Sequence, residues 1–179
     1  MADLQQITRN ARVTQLEINR LGFGIPERLK AVIKPKDVID LYDYLVKSRQ
    51  IRTVSRKLFL DGHYSRAVEE AYKCLNNYVK AKSRVYKDGH DLMCEVFNDK
   101  TPVLKLNKLK TQSDKDEQKG YMFIFAGCMT GIRNPRAHEH NLRDPSDATL
   151  EMLAWANHLI RVANKARRSG VPEKVKTAA

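Results

Sequence analysis

Apolar residues recur along most of this chain at spacings of three and four, which places them on one face of an α-helix. Strict alternation of apolar and polar residues never extends beyond a few positions, so the pattern does not favour β-strands. We therefore predict an all-α protein, built as a four-helix bundle. Its core helices are expected near residues 64–84, 90–98, 117–133 and 145–166.

The rest of the chain is less regular. We predict a helical extension of unknown role over residues 1–50 and a short helix over residues 50–60. Residues 99–118 are polar, contain five lysines, and are expected to form a loop. The bundle itself is assigned to residues 51–168, and residues 169–179 are expected to be a disordered basic tail.

Residues 121–132 (YMFIFAGCMTGI) contain no charged side chain. A helix that spans a membrane needs about 20 apolar residues, so this segment is too short. We expect it to form a helix that is buried on most sides in the protein core. Gly127 and Gly131 would let a neighbouring helix approach closely. Pro135 is expected to end the helix, because proline disfavours helical angles at the preceding Asn134.

Composition restricts the compartment and the partners. Three cysteines, an odd number, argue against a disulfide scaffold. The start MADLQQITRN lacks the basic patch and apolar run of a signal peptide, so we expect a cytoplasmic protein with no membrane partner. The 33 Lys and Arg against 21 Asp and Glu give a net charge of +12, which suits a polyanion. The candidate contacts to a nucleic-acid phosphate backbone are the basic segment 161–176 and Lys105, Lys108, Lys110, Lys115 and Lys119. Such surface charges are often only solvated.

The densest cluster of chemically useful side chains follows the charge-free segment, at residues 133–140 (RNPRAHEH). Arginine offers bidentate, permanently charged donors, and histidine can move a proton near neutral pH, so the cluster suits a phosphate. Each residue also has a structural interpretation. Arg133 could complement the dipole at the end of its helix, His138 could be a structural histidine, and Arg136 could be a solvated loop charge.

Other kinds of site have less support. His63 follows Asp61 and Gly62 at a helix start and is expected to support the fold more than the chemistry. The pair His138 and His140 provides two metal ligands with no third nearby, so no metal is predicted. No Gly-x-Ser-x-Gly elbow occurs, so a Ser-His-Asp hydrolase is not supported. No Gly-x4-Gly-Lys sequence occurs, so a nucleotide-binding P-loop is not supported either. The cysteines at 74, 94 and 128 are expected to be core thiols.

Several of these segments resemble the HEPN superfamily, and within it the Ymh-type branch of bacterial and phage-associated proteins. Arg133, followed at once by Asn134 and after four intervening residues by His138, matches the Arg-x(4–6)-His motif of that superfamily. Further similarity lies in LFLDGHY (58–64), AVEEA (67–71), DLM (91–93), GYMF (120–123) and GIRNPRAHE (131–139). The resemblance covers roughly residues 55–165.

The resemblance implies a HEPN-like four-helix bundle that acts as a metal-independent endoribonuclease without a cofactor, a toxin or effector in phage defence. Cleavage would proceed by attack of the RNA 2′-OH on the adjacent phosphate. His138 would transfer protons, and Arg133 would stabilise the phosphate. Asn134 would orient one of these groups by hydrogen bonds. The other assigned residues are Arg136 as phosphate ligand and His63 and Glu139 in supporting roles.

The same resemblance implies the partners. One motif supplies one histidine, whereas acid and base catalysis ideally uses two groups, and HEPN nucleases generally form composite sites between two chains. We therefore expect a homodimer, with RNA as substrate (tRNA is one candidate) and an antitoxin or another defence-system protein as partner. The alternative is a non-catalytic HEPN module that binds nucleic acid or a partner protein through its N-terminal helix.

Overall fold

The described part of the chain is mostly helical. The computed structural model describes residues 38–139 and 141–170. The helices are α1 (Val38–Leu45), α2 (Arg49–Leu60), α3 (Tyr64–Ser83), α4 (Gly89–Val96), α5 (Gln112–Cys128), α6 (Asn134–His138) and α7 (Ser146–Lys165), with a π-helical turn (Met129–Arg133) between α5 and α6. The predicted all-α class is confirmed. Predictions for residues 1–37, His140 and residues 171–179 lie outside the described residues.

Two short strands tie the end of the described chain to the loop after α4. β1 (Leu104–Lys105) pairs antiparallel with β2 (Arg167–Arg168), with Leu104 opposite Arg168. The Ser169 amide continues the pairing by donating to the Val103 carbonyl at 2.9 Å. The first residue of the predicted disordered tail is therefore hydrogen-bonded to the body of the protein.

The core forms where α3 packs against α2 and α7 and where α4 packs against α5. Its largest fully buried side chains include Tyr72, Leu75, Phe97, Phe125 and Leu153. The rings of Phe97 and Phe125 stack with centroids 4.3 Å apart. Aromatic pairs of this kind contribute beyond the area that they bury, which holds α4 on α5.

The packed body begins upstream of residue 51, where the bundle was predicted to start. Tyr42 on α1 is fully buried, and its hydroxyl lies 2.8 Å from the Ser55 hydroxyl on α2. The Asn157 side-chain oxygen on α7 accepts hydrogen bonds from the Lys47 and Ser48 amides at 2.9 and 2.7 Å. α1 and the turn after it therefore share the core of the bundle.

The polar segment predicted as a loop over residues 99–118 contains the start of α5. The Thr111 hydroxyl accepts from the Asp114 amide at 3.1 Å, and the Asp114 carboxylate accepts from the Thr111 amide at 3.3 Å. This capping box satisfies donors that the first helical turn leaves free. The helix therefore starts at Gln112, within a stretch whose lysine-rich composition had suggested a loop.

The helix does not end before Pro135 as predicted. Asn134 has helical angles, with φ −63° and ψ −44°, and its amide donates to the Met129 carbonyl five residues back. The π-helical turn widens the helix directly before the proline, and α6 continues to His138. This local change of hydrogen-bond pattern is the kind of adjustment that accommodates a proline within a helical segment.

The charge-free segment 121–132 is buried on one side rather than on most sides. Phe125 and Met129 are fully buried, whereas Phe123 is 58% exposed and Ile124 37% exposed. The segment carries no charge on any side of the helix. Burial of one face in the core therefore leaves apolar side chains of another face exposed to solvent. Among the described residues, no helix has the length and apolar character needed to cross a membrane.

Gln118 anchors the loop after α4 to α5. The side chain is fully buried. Its amide donates to the carbonyls of Phe97 and Leu104 at 3.0 and 3.1 Å, and its oxygen accepts from the Leu106 amide at 2.9 Å. We expect Gln118→Leu to lower the free energy of unfolding by about 3 kcal/mol, because it leaves buried backbone groups without partners.

Urea unfolding followed by circular dichroism measures this effect. The matched control is Gln112→Leu in the exposed first turn of the same helix, where the side chain bonds only to Asp116. Equal stability of the two variants would contradict the anchoring role of Gln118.

Candidate functional site

The predicted cluster lies where the long α5 helix passes through the π-helical turn into α6. Arg133 is the last residue of the turn, and Asn134 to His138 form the single turn of α6. π-helical turns are rare and are frequently found at functional sites. The turn ends at Arg133 and directly precedes the rest of the predicted cluster.

Arg133 is half-buried and is held by its neighbour. One guanidinium nitrogen, Nη1, donates to the Asn134 side-chain oxygen at 3.0 Å. Hydrogen bonds from Lys80 and Asn76 hold the pKa of the Asp88 carboxyl below its usual range, and the charge of Arg133 acts in the same direction. The guanidinium thus lies within electrostatic range of the junction between α3 and α4, with donors left for a ligand.

Arg136 forms an ion pair with Asp144. Its Nε and Nη2 donate to the two carboxylate oxygens at 2.8 and 2.6 Å, and its Nη1 donates to the Ile132 carbonyl at 2.7 Å. The two side chains are only 9% and 10% exposed. The interpretation as a solvated loop charge is therefore wrong. The assignment as a phosphate ligand stays a prediction, and the geometry favours a positioning role because three of five donors are engaged.

A serine connects this ion pair to the start of α3. The Ser65 hydroxyl accepts from the Asp144 amide at 2.9 Å and donates to the Leu142 carbonyl at 3.0 Å. The loop after α6 is thereby tied to α3, and the ion pair ties the same loop to α6. Together these bonds hold Asp144 between α6 and the start of α3.

His138 is the last residue of α6, and its side chain is exposed. No hydrogen bond or ion pair joins its ring to another residue in the described ranges 38–139 and 141–170. The imidazole is therefore open to a ligand but is not oriented by a second group of the same chain. Glu139 is also exposed, and its amide continues the helix by donating to the Pro135 carbonyl at 2.8 Å.

His63 immediately precedes α3 and is exposed. Its backbone joins two helices, because its amide donates to the Leu58 carbonyl at 2.8 Å and its carbonyl accepts from the Ala67 amide at 2.9 Å. The ring lines a groove of about 430 Å³ together with residues 64–66 and 142–144. His63 thus reaches the same loop as Asp144.

Comparison with known proteins identifies the family. The sequence model of the family described as a protein of unknown function, Hypoth_ymh, matches residues 48–162 of this chain. The chain belongs to the Hypoth_ymh family. A search of curated proteins and a search of solved structures found no match.

The matched region of this Hypoth_ymh protein contains the whole predicted cluster. It also contains Ser65 and Asp144, which the sequence patterns did not select. No periodicity could pair these two residues, because 79 positions separate them. Ser65 directly follows the LFLDGHY segment. This adjacency is the one sequence signal that could have selected Ser65.

The cysteines of this family member are not activated. Burial raises the pKa of the Cys74, Cys94 and Cys128 thiols, and each is half-buried rather than in the core proper. Cys94 lies 3.6 Å from the Nε2 atom of His90 on the same helix. A raised pKa leaves little thiolate at neutral pH, so this pair does not form a prepared nucleophile.

Within residues 38–139 and 141–170, no group of three His, Cys, Asp or Glu side chains is placed to hold a metal ion. Of the pair His138 and His140, His140 lies outside the described residues.

Proposed function

We propose that this protein is a metal-independent endoribonuclease of the HEPN type. The observation that carries the proposal is the arrangement of one segment. Arg133 is half-buried and bonded to Asn134, while His138 stands exposed at the end of the same helical segment, directly after the π-helical turn. A cation and an accessible proton-transfer group are the two kinds of group that cleavage of a phosphodiester requires, and this short segment carries both.

Four of the helices around this segment support the same proposal. α3, α4, α5 and α7 together form the core that carries the Arg133-to-His138 segment at one end of α5. We take this arrangement as a HEPN-type four-helix bundle, preceded by α1 and α2.

RNA provides its own nucleophile in this mechanism. The 2′-oxygen forms a new bond to phosphorus and loses its proton to a base, while the bond to the 5′-oxygen breaks and that oxygen receives a proton from an acid. His138 is the proton-transfer group, and Arg133 stabilises the charge that develops on the phosphate. Asn134 orients Arg133. The products are a 2′,3′-cyclic phosphate and a 5′-hydroxyl.

A second copy of the chain completes the acid and base pair. One chain supplies one His138 in this segment, and a two-fold interface would supply the second. The exposed apolar face of α5 is the surface that we assign to this contact. Gly120, Phe123 and Gly127 follow along α5 at spacings of three and four, and Gly131 in the π-helical turn comes four residues later.

The glycines on this face leave room for a close approach. A Cβ atom built at Gly120, Gly127 or Gly131 meets nothing within 4 Å. Phe123 and Ile124 on the same helix are 58% and 37% exposed. Contiguous exposed apolar groups of this kind commonly mark an interaction surface. Packing α5 against α5 of a second copy would bury this face and bring together the two Arg133-to-His138 segments, which we call the cleavage segments.

We expect Phe123→Glu to convert the dimer to a monomer and to reduce RNA cleavage at least tenfold, because a carboxylate cannot be buried without a partner. Sedimentation velocity at micromolar concentration measures the assembly. Tyr44→Glu is the matched control, since Tyr44 on α1 is equally exposed at 58%. A dimer that persists in Phe123→Glu, or a wild type that is a monomer and still cleaves RNA, would contradict this interface.

The activity itself is tested by incubating the purified protein with tRNA and with total RNA in the presence of EDTA. We expect cleavage that leaves 2′,3′-cyclic phosphate ends. These ends resist labelling at the 3′ end until the phosphate is removed. Binding of RNA without cleavage would instead favour the non-catalytic HEPN module. Cleavage that requires a divalent cation would contradict the mechanism.

A further inference from the structure

The groove between the start of α3 and the loop after α6 has no role in the chemistry described above. It has a volume of about 430 Å³ and is lined by residues 62–66 and 142–144. The Ser65 hydroxyl joins the two walls through its bonds to the Asp144 amide and the Leu142 carbonyl. The groove is therefore a built feature, held by hydrogen bonds between two parts of the chain.

The side chains that line the groove give it a positive charge. Arg143 is exposed, and no acidic side chain among the described residues pairs with it. His63 and Arg66 are also exposed, although Arg66 shares its charge with Glu69 and Glu70 at 2.8 and 2.7 Å. The carboxylate of the lining residue Asp144 is neutralised by Arg136. The free charge in the groove is thus that of Arg143, and the imidazole of His63 supplies a further hydrogen-bonding group.

The groove adjoins the cleavage segment. The lining residue Asp144 forms its ion pair with Arg136, which lies two residues before His138 on α6. The Arg136–Asp144 ion pair therefore connects this groove to the helix that carries His138. Cavities of a few hundred Å³ are the size that accommodates a small molecule or one unit of a polymer.

We propose that this groove binds the phosphodiester backbone of single-stranded RNA next to the scissile phosphate, with Arg143 as the main phosphate contact and His63 as a second donor. This inference rests on the proposed function for the choice of RNA as ligand. Arg143 and His63 are binding residues in this assignment, whereas Arg136 is a positioning residue that holds the groove wall.

Binding of a fluorescein-labelled single-stranded RNA, measured by anisotropy as a function of salt, tests the proposal. The parent protein carries His138→Ala, so that the RNA stays intact. We expect Arg143→Gln in this background to weaken binding about fivefold and to reduce the slope of log K against log salt by about 0.7, the value for one phosphate contact on a single strand. Arg143→Lys should restore most of the slope.

A matched control and a second variant keep the result interpretable. Arg49→Gln removes the same charge at the far end of α2, roughly 18 Å along that helix from the groove, and should change the affinity less than twofold. His63→Asn should weaken binding about threefold, which provides an independent measurement if Arg143→Gln does not fold.

The outcomes separate this inference from the proposed activity. An unchanged affinity and salt slope in Arg143→Gln, or a parent protein that does not bind RNA, overturns the groove assignment even if the wild type cleaves RNA. If the wild type binds RNA without cleaving it and Arg143→Gln still lowers the slope, the groove assignment stands and the nuclease mechanism fails.

Discussion

His138→Ala is expected to abolish metal-independent RNA cleavage while leaving the fold and the dimer unchanged. General acid and base catalysis by a positioned histidine contributes about a hundredfold to ten-thousandfold in rate, so loss of both copies should remove activity below detection. The side chain is exposed at the end of α6 and has no bonded partner in the described part of the chain, so its removal should cost little stability.

The measurement is cleavage of tRNA and total RNA in EDTA, with circular dichroism and sedimentation as checks on folding and assembly. His90→Ala is the matched control, because His90 is another exposed histidine, on α4. Wild-type-like cleavage by a cleanly purified His138→Ala protein would eliminate this mechanism.

The same pair of proteins tests the proposed biological role. Expression of the wild type in a bacterium should slow growth if the protein is a toxin or effector, and expression of the His138→Ala form should not. Equal growth with verified soluble expression would contradict a freely active toxin and would favour the binding-module alternative.

The second large effect is expected at the ion pair between Arg136 and Asp144. Removing one partner of a nearly buried pair leaves an uncompensated charge, which typically costs about 3–5 kcal/mol. We expect both Arg136→Met and Asp144→Asn to lower the free energy of unfolding substantially and to reduce cleavage, because each releases the loop that follows His138. Lys57→Met, which breaks the exposed pair with Asp61, should change stability little.

This experiment also separates the two roles considered for Arg136. Urea unfolding reports the structural role, and the salt dependence of RNA binding reports a phosphate contact. If Arg136 serves mainly to position the loop, Asp144→Asn should impair cleavage although it removes no cation. Full cleavage by Asp144→Asn, together with a reduced salt slope for Arg136→Met, would instead support the predicted phosphate ligand.

Local patterns were sufficient to locate most of the helices. The predicted helix over 64–84 corresponds to Tyr64–Ser83, and the predicted last helix over 145–166 corresponds to Ser146–Lys165. Periodicity succeeds here because residues three and four apart share one helix face whatever the rest of the fold does. It failed at Thr111, where a capping box begins a helix within a polar stretch and before any apolar stripe.

The candidate site was only partly accessible to the same reasoning. Spacing and residue type selected Arg133, Asn134 and His138, which are adjacent in the chain and need no long-range contact to be recognised. The pairing of Arg136 with Asp144, and its link to Ser65, depends on how the loop after α6 returns to α3. Such a contact is set by packing between distant elements.

By itself, the sequence determined the all-α class, the approximate helices and the segment that carries the candidate chemistry, since each is encoded by neighbouring residues. The tertiary structure alone decided which side of residues 121–132 is buried. Phe125 enters the core while Phe123 faces outward, because an apolar helix with no charge on any side has no intrinsic preference for the face that it buries. The neighbouring helices make that choice, and the face that they leave uncovered is the one assigned to the second copy.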